Sequence, residues 1–509
     1  MKRQLLTWLV IAAALGLTFA PSSPARVVVG RATPNTAFHF RVVGHAALFA
    51  RGMNAALAID GNYAYVGDRT DNSQGHPHPG VLVVNIADPR HPRVVGRIGP
   101  PLEDSTGMSA RELRVWPQQH LLMVLNFPCS SVLHACASGP DTWNWRFYDI
   151  SGADAAHPKL VATYRPPVEP HEMYLWVDPR RPAKRALMFQ STPNGTTKPG
   201  ALELLVTDIS KAREGVFHRV ATATFTGLYK RQAAKHFRRC GDEGPLASTY
   251  VHSIALTPDG RRGFLSYWCG EMLVIDTSQV AAGVEHPRIR LLTPIPNRPQ
   301  WTNPHGHSAV PLLGRPYVLT TDEVYGSLLT PFDPPAEHDG CPWGWVRLIN
   351  VERPARPRIV GQYKIRQNTA AYCRGPGRKP ANNRFTSFAS HNPTVLPDLA
   401  FVDWHSGGLQ AIGLRNPAVP RQDGFVLPRP LRHVATEDPA LSSGNQKVVL
   451  WSYPIIHDGL IYAVDIRNGL YILRYTGPSA GEVRAVDHLE GNSNVGDAVR
   501  LARLGGRMR

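Results

Sequence analysis

The 509-residue sequence predicts an all-β fold, a seven-bladed β-propeller closed by an N-terminal strand that completes the last blade. Three observations predict it. Short alternating strands recur in groups of four, the seventh group stops after its third strand, and a spare strand precedes the first group. A lone four-stranded unit cannot bury both faces, so repeats of this kind stack around an axis.

The first unit sets the pattern. Leu57-Ala-Ile-Asp-Gly-Asn-Tyr-Ala-Tyr-Val66 reads as two strands joined by an Asp-Gly turn. Gly80-Val-Leu-Val-Val-Asn-Ile-Ala-Asp-Pro89 is a third strand that ends where proline removes a ladder donor, and Arg93-Val-Val-Gly-Arg-Ile98 is a fourth. The third-strand wording returns at Phe147–Ile150, Leu205–Ile209, Leu273–Asp276, Arg347–Glu352, Gly408–Ile412 and Gly469–Leu473. The spare strand Phe40-Arg-Val-Val-Gly-His45 copies the fourth-strand wording, so pairing it beside the last unit closes the ring and removes an open edge.

Outside the propeller, assigned to residues 38–477, Met1-Lys-Arg3 and the short apolar run to Ala20 predict a signal peptide over 1–25. No later stretch is apolar enough to span a membrane. Residues 478–509 read as a polar, basic, mobile tail. Together these features predict a secreted, periplasmic or cell-surface monomer.

The wording Tyr65-Val66, Gly80–Pro89 and Arg93–Gly96, with Thr321-Asp-Glu323 and Ser390-His-Asn-Pro393, resembles the LVIVD-repeat proteins, bacterial and archaeal cell-surface or secreted propellers. The resemblance runs over nearly all of residues 40–477, although each repeat alone is a weak match. It implies the fold and an extracytoplasmic location, and no settled activity.

Four histidines occupy one register. His171, His252, His307 and His391 each open a first strand, about six residues before a turn. In a closed ring such positions converge on one mouth of the channel. Imidazoles suit iron, copper, zinc or manganese, the last and iron more so with added carboxylates. The metal reading therefore takes these four with His305, and takes Glu172 and Glu323 as acid–base candidates. The competing reading has each imidazole hydrogen-bonding backbone and locking neighbouring blades. Asn54 and Arg111 hold the matching positions in units one and two; Glu112 supplies a carboxylate there or pairs with Arg114.

Loops after second strands fall on the same face, conventionally the top. They hold long insertions, and all six cysteines map to that face. The blade order suggests the pairs Cys129–Cys136, Cys240–Cys269 and Cys341–Cys373. Trp343, Trp345, Trp404 and His405 lie there as candidates for stacking on a sugar or apolar ligand. A net charge of +17 favours anionic envelope partners such as wall polymers or acidic glycans. Nucleic acid is a poor partner for an exported chain without a recognition motif. No hydrolase signature or phosphate loop is present. The favoured function is an exported binding or scaffold propeller of the cell envelope that holds a ligand or partner on its top loops; the alternative is a metal-dependent oxidoreductase or lyase with a multi-histidine site at the channel mouth.

Overall fold

In a computed structural model, residues 25–30, 37–69, 77–98, 108–128, 143–192, 202–225, 227–228, 249–268, 270–301, 305–323, 343–376, 385–439 and 441–507 are described. They form seven sheets arranged as the blades of a propeller. The first strands are Asn54–Asp60, Met108–Trp116, Glu172–Val177, Tyr250–Leu256, Gly306–Pro311, Pro393–Val395 and Ile455–His457. Each pairs antiparallel with the next strand outward, as short turns such as Asp60-Gly-Asn-Tyr63 require.

The ring closes as expected. Phe40–Ala46 pairs antiparallel with Gly469–Tyr475, the third strand of blade seven. The preceding chain also edges its neighbours, Arg26–Gly30 running parallel beside Arg358–Ile365 in blade five and Ala37–Phe38 beside Arg421–Val426 in blade six. Blades lock to one another through buried donors. Trp176 Nε1 donates to the Pro258 carbonyl at 3.2 Å, and Tyr65 OH to that of Ala155 at 2.9 Å. Such bonds satisfy polar groups that packing strips of water.

The segment after Tyr475 is not a mobile tail. Helix Ala480–Arg484 leads to His488–Leu489, which pairs with the inner edge of Ile455–His457 in blade seven. The chain then crosses the channel to blade three. The Leu175 amide donates to the Asn492 carbonyl at 3.1 Å, and the Asn494 amide to that of Leu175 at 3.2 Å. Asn494 also accepts from the Val177 amide and donates to the Val177 and Pro258 carbonyls, at 2.7–2.9 Å. These groups lie at the lower ends of first strands, so the tail plugs the channel floor. Its polarity matches the strand backbone that it meets.

Helix Ala498–Arg507 then docks beneath blades five and six. Added methyls at Gly314 and Gly505 would stand 2.1 Å from the Ala502 carbonyl oxygen and 2.2 Å from that of Leu313. Both backbones therefore approach to a distance that only glycine permits. Gly505→Val is expected to lower stability by about 1–3 kcal/mol through overpacking. Urea denaturation, with tryptic release of the tail as a second readout, checks this.

His488 makes the seating pH-dependent. Burial, and then the neighbouring His457, hold its imidazole down to about 3. The free tail has the ordinary value of about 6.5, so it binds more protons than the seated one between the two values. Seating should weaken as pH falls through that window. Amide exchange over residues 488–497 should quicken there, with a flatter profile in His488→Gln.

Candidate metal centre

Four first strands carry a bulge near their upper ends. The ladder skips residue 111 in blade two and residue 252 in blade four, residues 307–308 in blade five, and residues 55–56 in blade one. A bulge breaks the alternation of a strand and re-aims a side chain. Arg111, His252 and His307 are among the side chains so turned. His171 and His391 are held without a bulge, by backbone donation to Ser191 and Asp403 at 2.8 Å each.

The imidazoles form a continuous arc. Ring centroids are 4.6 Å apart for His171–His252, 4.2 Å for His252–His307, 3.9 Å for His307–His391 and 4.7 Å for His391–His405. Two carboxylates meet this arc. Glu172 Oε1 lies 3.7 Å from His252 Nδ1 and 3.5 Å from His307 Nε2. Glu323 has Oε2 3.7 Å from His307 Nε2, and Oε1 3.3 Å and 3.5 Å from Nε2 of His391 and His405. Glu172, His252 and His307 form one group able to surround a cation, and His307, Glu323 and His391 a second. A tetrahedral site with bonds of about 2.1 Å has ligand–ligand edges of about 3.4 Å, close to these separations.

One tautomer follows from the hydrogen bonding. His391 Nδ1 lies 2.7 Å from the Trp451 carbonyl, which can only accept, so Nδ1 carries the proton. Nε2 of the neutral ring then presents a lone pair to Glu323 Oε1. Both atoms are buried without a hydrogen-bond partner among the described residues, as is His252 Nδ1. Two acceptors facing each other in a dry site need a cation between them, either a proton or a metal ion.

Burial keeps the proton off four rings of the arc. Burial, followed by charge on neighbouring imidazoles, holds His171, His307 and His405 well below the ordinary histidine value, and burial holds His252 at about 4. Burial also raises the carboxylates, and it pushes Glu172 well up, aided by the charge of Glu112. For Glu323 the effect of burial is outweighed by His391, and the group stays low.

The expected site residues divide as follows. His252, His307, His391, Glu172 and Glu323 converge. His171 stands one step back: its Nε2 shares a 3.0 Å hydrogen bond with His252 Nε2 and orients that ring. His405, expected in a ligand-stacking role, instead joins the arc. His305 does not point with His307, because the bulge intervenes; it packs edge-on against Trp268 at 5.5 Å and lies near Asp322. Asp322 is paired with Arg347. Glu112 pairs with Arg114 at 2.6 Å. Asn54 accepts from Arg51 and donates to Ile466, closing the seam between blades one and seven.

The indoles are not displayed as expected. Trp343 is fully buried against Phe388 and Tyr372, and Trp404 is fully buried with Nε1 donating to Asn368 and Phe388. Half-buried Trp345 lies between Arg347 and Lys364. These rings hold loops onto the blades.

The cysteine expectations fall largely elsewhere. Cys129, Cys136, Cys240, Cys269 and Cys341 all lie outside the described residues, and Cys373 alone lies within them. None of the expected pairs Cys129–Cys136, Cys240–Cys269 and Cys341–Cys373 therefore has both members among the described residues.

No protein-family model matches the sequence, and no curated protein matches it. Among solved structures the chain is similar to Sqt1 from Chaetomium thermophilum, with 12% identity over 84% of this chain and 85% of that one, TM-score 0.44. It is also similar to the periplasmic gluconolactonase of Pseudomonas aeruginosa, with 13% identity over 81% and 97% of the two chains, TM-score 0.45. A third similarity is to the WD40 β-propeller domain of Doa1, with 8% identity over 88% and 97%, TM-score 0.42. Likeness at this level concerns the fold alone. No helix among the described residues is long and apolar enough to cross a membrane.

The two buried carboxylates at positions 322 and 323 predict opposite behaviour. Arg347→Met leaves Asp322 buried without its cation and should cost about 3–5 kcal/mol in chemical denaturation. Glu323→Gln, which relieves acceptor–acceptor opposition in the metal-free protein, should cost much less by the same measurement.

Proposed function

We propose that this protein is an exported, LVIVD-type propeller that holds a divalent transition metal at the upper channel mouth and uses it as an oxidoreductase or lyase. The observation that carries this reading is the facing pair His391 Nε2 and Glu323 Oε1, 3.3 Å apart, buried, and both acceptors when the ring is neutral. His252, His307, His391 and Glu323 supply mixed nitrogen and oxygen donors, a set that suits iron, manganese, zinc or copper. Bound there, the metal would supply Lewis-acid or redox chemistry.

The chain's own residues set the remaining terms. Trp451 fixes the His391 tautomer, His171 orients His252, and Ser387 shares a 2.9 Å hydrogen bond with His405 Nδ1. Such outer contacts aim imidazole donors. Glu172, pushed up by burial and by Glu112, is the better placed of the two carboxylates to hold a proton for transfer. The plugged floor leaves substrate to approach from the top.

Metal content of natively exported protein, purified without chelator or His tag, tests the proposal. Roughly one equivalent is expected, lost in His307→Ala while circular dichroism stays native. An empty protein that takes up no added metal would overturn it. A binding or scaffold propeller for an anionic envelope ligand is the second reading, favoured by the net charge of +17.

A further inference from the structure

We propose that the cleft between the C-terminal helix and the lower turns of blades three to five binds a small organic polyanion with an apolar body. The cleft lies at the opposite end of the channel from the histidine arc, and the inference does not depend on a metal. Its volume is about 830 Å³, within the range of small-molecule sites. Pro179, Ala282, Pro316, Val499 and Ala502 give it apolar walls, over the buried side chains of Trp176, Phe264 and Leu312.

Charge on the lining is lopsided. Arg180, Arg261, Arg262, Arg315 and Arg503 line the cleft against two carboxylates, Asp178 and Asp259. Both carboxylates are already engaged. Asp178 accepts from Arg181 and from the Arg180 amide, and Asp259 from the Thr257 hydroxyl and the Arg261 amide. Arg315 is held by Asp398 at 2.6 Å. Arg261, Arg262 and Arg503 have no ion-pair partner among the described residues. Three guanidiniums over apolar walls complement a ligand with at least two negative charges and a flat hydrophobic body.

The cleft also has two independently anchored sides. Arg261 and Arg262 belong to the turn of blade four, whereas Arg503 sits on the helix that follows the channel plug. An occupant bridging them would brace the helix against the blades, and protect the tail.

The test is fluorescence titration of the full chain with bis-anilinonaphthalene sulfonate, a dianion with an apolar body. Saturable binding at one site is expected, displaced by naphthalene-1,5-disulfonate and accompanied by slower tryptic release of the tail. Arg261→Gln with Arg503→Gln should weaken it at least about tenfold, and His307→Ala should leave it unchanged. Unchanged affinity in the double variant would overturn the proposal. Should that variant fail to fold, Arg262→Gln and a salt series decide. Weakening between about 50 and 500 mM salt is expected, and salt-insensitive binding overturns the assignment. A glutamate-rich peptide that displaces the probe more tightly than the disulfonate would overturn the small-ligand reading in favour of a peptide.

Discussion

Closure of the ring by Phe40–Ala46 on Gly469–Tyr475 is the constraint on which the other contacts depend. Only a closed ring forces seven first strands to face one axis with their starts at one end. His171 and His252 are 81 positions apart in sequence, yet their Nε2 atoms are 3.0 Å apart, because each opens the first strand of adjacent blades. Joining strands from opposite ends of the repeat array costs little more than a shorter closure, since loop entropy grows only logarithmically with length. The gain is an edge-free sheet system with a rigid mouth.

Register alone does not aim a side chain, and the bulges supply the difference. Strict alternation would place His305 and His307 on one face. The irregularity between Gly306 and Ala309 instead sends His307 to the arc and leaves His305 beside Trp268 and Asp322. That is why the histidine register was legible in the sequence while one of its members was misplaced. Repeat wording reports strand order faithfully, but a one-residue insertion into a ladder leaves no mark in composition. His405 illustrates the same limit, since its positive φ and buried turn bring it to Glu323 from outside the repeat register.

The tail and the indoles failed to show in the sequence for a different reason. A polar, glycine-rich segment after the last strand reads as solvated chain. Here its polar groups meet strand backbone inside the channel, and Gly505 permits contact with Leu313. Likewise Cys341-Pro-Trp-Gly-Trp345 reads as a displayed loop, yet Trp343 is fully buried in the largest core cluster. Hydropathy describes what a residue prefers, and only tertiary structure shows which partner satisfies it. The blade count and the closing strand depended on periodicity instead, and periodicity survives folding.

Plug and arc together define the chemistry available to the channel. Below the arc, Glu112 pairs with Arg114, and Glu490 of the plug is buried, raised by burial against the pull of Arg114. The lower chamber therefore concentrates carboxylates around limited positive charge, while the upper mouth concentrates imidazoles held neutral by burial. A cation placed at the arc relieves both conditions. It would give the lone pairs of His391 and His252 a partner, and it would offset the negative charge of Glu323. A proton at one imidazole relieves one such contact and leaves the other lone pairs as they are. On the proposed metal reading, the five rings and two carboxylates would share one multivalent ion in place of successive protonation.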